Sequence, residues 1–77
     1  MPTAIKPNIL SESGALPEHT RILLRRDIPE ADLAAGAKGT IVHVYNNGGY
    51  EVEFIEGRAR PVVVTLEVSE VERLTGE

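Results

Sequence analysis

Thr40-Ile-Val-His-Val-Tyr-Asn-Asn-Gly-Gly-Tyr-Glu-Val-Glu-Phe-Ile-Glu56 is the stretch whose reading decides the fold. Its centre, Asn46-Asn47-Gly48-Gly49, places Asn-Gly between two strand-like runs, and that pair favours the positive backbone angles of a tight hairpin. The run before it is β-branched up to Tyr45. The run after it alternates with a period of two, so Tyr50, Val52 and Phe54 point inward while Glu51 and Glu53 stay in water. This is a β-hairpin with one apolar face.

Working upstream, Gly36 and Gly39 read as the brackets of a tight turn around Lys38. Glu30 to Ala35 is a loop with one helical turn, where Leu33 plugs the end of the core. Pro29 stops a short strand, Thr20 to Arg26, with Ile22 and Leu24 on one face and Arg21, Leu23 and Arg25 on the other. Downstream, Gly57 and Arg58 to Pro61 form the next turn. Val62 to Val68 is a fourth strand with Val62, Val64 and Leu66 on one face. Ser69 then caps a single short turn, and Arg73-Leu74 closes as a brief fifth strand with Val71 and Leu74 as its core contacts. The fold class is all-β: a small five-stranded barrel, closed or half-closed, with short helical turns. Closure removes most of the edges that would otherwise aggregate.

The barrel accounts for residues 20–75, and residues 1–19 form an irregular N-terminal arm broken by Pro2, Pro7 and Pro17. Apolar residues recur in the arm, at Ile5, Ile9, Leu10 and Leu16, so it is expected to rest on its own barrel or on a neighbouring copy. The chain has 77 residues with one Phe, two Tyr and no Trp, which suits one domain with a marginal core. A second copy would supply the missing burial, so a homodimer or higher self-assembly is expected. The absence of cysteine excludes disulfides, thiolate metal sites and thiol nucleophiles. No charged-then-apolar leader and no run of membrane-spanning length occurs, which leads to an expectation of a soluble, cytoplasmic protein with no membrane partner.

At this point the residues carry a family resemblance. Asp27-Ile-Pro-Glu30, Leu33, Gly36-Ala-Lys-Gly-Thr-Ile-Val42, Val44-Tyr45 and Tyr50-Glu-Val-Glu-Phe54, followed by Thr65-Leu66 and Leu74, resemble the bacterial family of short proteins known as domain of unknown function 4926. The similarity spans about Thr20 to Leu74; the long arm and a slightly shortened Glu56 to Arg60 turn depart from it. The resemblance implies an SH3-like barrel and no established activity. It also implies small free-standing genes, some lying in mobile gene cassettes or beside toxin-like genes, and hence an accessory or antitoxin-like role with a foreign protein partner. A looser similarity links Gly36, Gly39, Ile41, Val44 and Val52-Glu53 to the KOW motif, which contacts RNA on the same barrel type. A tight turn explains that glycine spacing equally well.

Candidate functional residues divide by chemistry. His19 and His43, without cysteine partners, do not provide the four clustered donors of a zinc site. Glu51 and Glu53 share one strand face and read as solvated acids, not as a general acid–base pair. Thr40, Thr65, Ser69 and Thr75 fit strand, cap and chain-end positions, and there is no glycine-rich phosphate loop followed by Lys-Ser/Thr. No catalytic, cofactor or metal site is expected; the chain is not expected to be an enzyme. Leu23, Ile55 and Val63 fall on the outward side of the alternation, either as an interface patch together with Ile5, Ile9 and Leu10, or because a bulge shifts the register. Tyr45, Tyr50, Arg58 and Arg60 flank the hairpin as a recognition surface, unless Tyr50 belongs to the core. The leading expectation is a self-associating protein-interaction module. The alternative is a KOW-like nucleic-acid surface of Arg25, Arg26, Lys38, Arg58 and Arg60, which the net charge of −4 disfavours.

Overall fold

The computed structural model of the chain describes residues 16–75. Five strands follow in order: β1 (Arg21–Leu24), β2 (Lys38–Val44), β3 (Gly49–Phe54), β4 (Val62–Glu67) and β5 (Val71–Arg73). Two single 3-10 turns, Pro29–Ala31 and Val68–Glu70, are the only helical pieces among the described residues. All pairings are antiparallel in one sheet of order β4-β3-β2-β1-β5. The all-β reading therefore stands.

The connection between β4 and β5 dictates the shape of this sheet. The two strands are its opposite edges, yet only Val68–Glu70 separates them. Three residues of 3-10 helix rise about 6 Å. Five strands laid flat would hold their outer edges about 19 Å apart. The sheet bends until its edges approach at that end, while β4 and β5 remain unpaired with each other.

The concave side holds the core. Ile22, Leu24, Ile41, Tyr50, Val52, Phe54, Leu66 and Val71 are buried, joined by Ile28 and Leu33 from the β1–β2 connection. Ile28 and Leu33 bridge each other, which seats Leu33 where the sequence expects a plug. Tyr50 is wholly buried, so it belongs to the core and not to a recognition surface; its hydroxyl accepts the Leu16 N–H at 2.8 Å. The His19 N–H donates to the Ile41 carbonyl at 2.6 Å, laying the last residues of the arm on β2 of the same chain. Ile5, Ile9 and Leu10 lie outside the described residues.

Three local expectations are corrected, at Gly39, Ser69 and Leu74, and the expected tight hairpin is found with its loop defined. Gly36 does turn the chain, with φ +94°, but Gly39 lies inside β2 opposite Ile22. A Cβ there would stand 2.7 Å from Val52 Cγ1 and 2.8 Å from Phe54 Cε2, so Gly39 is demanded by packing and not by a turn. The hairpin loop has three residues, Asn46 to Gly48, closed by Gly48 N–H to the Tyr45 carbonyl and Tyr45 N–H to the Gly49 carbonyl. Ser69 lies within the second 3-10 turn, and its entry is held by the Glu67 N–H donating to Glu70 Oε1 at 2.8 Å. Leu74 follows β5 half-buried and stays outside the core.

Candidate functional site

Hydrogen-bond phase decides what each edge of the sheet offers. The Tyr45 N–H donates to the Gly49 carbonyl, so Gly49, Glu51 and Glu53 direct their backbone groups toward β2. Tyr50, Val52 and Phe54 then face β4, and their partners there are Leu66, Val64 and Val62. The N–H and C=O groups of Val63 and Thr65 consequently point away from the sheet, along an edge that no other described strand pairs. The Glu67 N–H would join them, but it is taken by Glu70. Nothing charged stands between Pro61 and Glu67.

Two exposed aliphatic side chains border this edge. Val63 is 52 % exposed and Ile55 54 % exposed. Phe54 pairs with Val62, so Ile55 and Val63 sit at the same end of the β3–β4 ladder, diagonal to each other on its outer face. Leu23 does not join them. It lies half-buried on β1 opposite Lys38, with Thr40 and Glu53 occupying the same face between β1 and β4. The three outward aliphatics thus separate into a pair at the β3–β4 end and a single residue on β1, with β2 and β3 between β1 and β4.

Of the five cations of the alternative surface, Lys38 and Arg58 line one shallow depression and Arg58 and Arg60 an adjoining one, while Arg25 and Arg26 pair with acids of the β5 end. Arg26 Nε contacts Glu70 Oε2 at 2.6 Å, and Arg25 Nε lies 3.7 Å from Glu72 Oε1. Arg58 donates to the Ala31 and Asp32 carbonyls at 2.9 and 3.2 Å, clasping the first 3-10 turn. Lys38, opening β2, and Arg60, in the bend before β4, are exposed and make no ion pair among the described residues. Gly36 and Gly39 owe their spacing to a positive φ and to contact with Phe54, so it carries no further sign of a KOW-type RNA surface.

A polar cluster that the sequence does not single out lies on the outer face. The β2–β3 register shifts between Ile41 and His43, making Val42 the extra residue of a bulge. Ile41 is therefore buried, Val42 is exposed, and His43 and Tyr45 come out beside Glu51. The Tyr45 hydroxyl donates to the Glu51 carboxylate, and Thr65 Oγ1 donates to the same oxygen at 2.8 Å. His43 meets Tyr45 edge-on, with ring centroids 4.6 Å apart, and Glu18 Oε2 lies 3.8 Å from His43 Nδ1. The Tyr45 and Thr65 hydrogen bonds, helped by His43, hold the Glu51 carboxyl below its ordinary range, and the Tyr45 hydroxyl is raised by the same bond. That is the opposite of a carboxyl poised to exchange protons near neutrality. The cluster forms one wall of an open groove of about 840 Å³, continued by Leu66, Val68 and Glu70.

Among the described residues no three metal-binding side chains converge, and no helix is long and apolar enough to cross a membrane. A family model described as Domain of unknown function (DUF4926) matches residues 18–72. No curated protein and no solved structure matches the chain.

Proposed function

The chain belongs to that family, and from this premise we propose that it is a non-catalytic protein-interaction module that works through the β4 edge of its sheet. One observation carries the reading. Among the described residues, the backbone groups of Val63 and Thr65 are unpaired, at an edge free of charge, bulge and internal proline and beside exposed Ile55 and Val63. Such an edge is a template for an added strand, with main-chain hydrogen bonds giving affinity and the flanking side chains giving preference. An SH3-like barrel is the architecture that the bent sheet and the interrupted β4–β5 passage favour. An accessory or antitoxin-like role, with a foreign strand on β4, belongs to the same reading.

Val63→Pro tests it. The Val63 N–H faces outward, so proline there removes an edge donor and spares the β3–β4 ladder. Native protein in host extract should migrate as a complex, and the variant as a smaller species. Equal sizes for both would remove the β4 edge from the function.

A further inference from the structure

We infer that the occupant of the β4 edge is the β4 strand of a second copy, paired antiparallel about a twofold axis through Val64. This rests on the reading of β4 as a docking edge and adds its partner and register. The first support is charge. The segment from Arg58 to Glu70 is basic at its start, with Arg58 and Arg60, and acidic at its end, with Glu67 and Glu70. An antiparallel partner brings the basic end of each copy against the acidic end of the other. A parallel partner would set like ends together.

The second support is the match of donors to acceptors. Pro61 has no N–H, and the Glu67 N–H already serves Glu70. Setting Val63 opposite Thr65 of the partner subunit uses every edge donor and acceptor that the two residues own. Centring the pair on Val63 would spend Thr65 against Pro61, and centring it on Thr65 would spend Val63 against the occupied Glu67. One register wastes nothing. It also places the outward Val63 side chain beside Thr65 of the partner subunit, and brings Val62, half-buried in one copy, beside Leu66 of the partner subunit. The pairing is isologous, so each contact occurs twice. So short an edge buries little surface, and a dissociation constant of roughly 1–100 μM follows.

Sedimentation of the purified chain tests the partner and the register together. The native protein should weigh two chains at several hundred micromolar and one chain at high dilution. Arg60→Glu and Glu67→Arg, each of which sets like charges at both ends of the seam, should raise the dissociation constant about tenfold. Mixed in equal amounts, these two variants should pair with each other at near-native affinity, because both ends of the mixed seam regain opposite charges. Circular dichroism confirms that each remains folded. A native chain that stays single at every concentration overturns the second-copy partner; if complexes in host extract still depend on Val63, the edge reading itself survives. A dimer that ignores Val63→Pro overturns both. A dimer that Val63→Pro breaks, but that the charge-reversed mixture does not restore, overturns the register alone.

Discussion

The sheet has two edges, and they are built to opposite rules. β5 is three residues long, Val71-Glu72-Arg73, and the last two are exposed charges, with Glu72 lying 3.7 Å from Arg25. β4 is twice that length and runs Val-Val-Val-Thr-Leu before its first charge at Glu67. Shortness and charge are the usual protections of a strand that has no neighbour on one side. β5 has both and β4 has neither. The difference is what places the proposed association on the β4 flank and not on the β5 flank.

The largest way to break this comparison is to remove what holds β4 in place. Phe54→Ala empties a buried position that pairs with Val62 and packs beside Gly39. It should cost about 3–5 kcal/mol in urea unfolding, and the edge should vanish with the ladder. Next comes the contrast between neighbours. Val64→Pro removes an N–H that faces β3 and should cost about 3 kcal/mol, whereas Val63→Pro removes one that faces outward and should cost under about 1 kcal/mol. Equal losses would show that the hydrogen-bond phase is the reverse of that described.

Amide exchange sharpens the same point without mutation. At high dilution the Val63 and Thr65 amides should exchange much faster than those of Val62, Val64 and Leu66, and concentration should close the gap. Transferring the β5 solution to β4 is a gentler probe. Val63→Lys should change unfolding free energy by no more than about 0.5 kcal/mol while weakening self-association. The smallest effect concerns Glu70, which sits in the turn between the two edges. Its carboxyl is lowered first by the Glu67 N–H and then by Arg26. A folded pKa below the unfolded one adds stability above the unfolded value, and that share is lost as pH falls through the folded value. Glu70→Gln should therefore lower stability slightly at neutral pH, converge with the native protein as pH falls below about 4.5, and so flatten the acid limb of the stability curve.

Much of the fold was legible because side-chain alternation is strict in the returning strand. Tyr50, Val52 and Phe54 cannot all be buried in any other phase. The outgoing strand was less clear, since Ile41, Val42 and Val44 allow either face and nothing in that run announces a bulge at Val42. The Tyr45–Glu51–Thr65 cluster was hidden for the same reason: its members share a face only once Val42 is counted out. Gly39 looked like a turn glycine because both turns and tight packing select against a Cβ, and only the position of Phe54 separates the two. The edge itself was half legible. Val62 to Leu66 shows its lack of charge in plain sequence, but pairing of β1 with β5, which leaves β4 without an outer neighbour among the described residues, depends on contacts between distant segments. Cation pairing was not legible at all, since Arg25 and Arg26 meet Glu72 and Glu70 only through that same long-range closure.

The guarded β5 strand has one more consequence. A molecule with two adhesive flanks would behave as a bifunctional monomer and grow into a fibre, each addition exposing the next site. With the single adhesive flank proposed above it would behave as a chain stopper, its growth terminating at the first step.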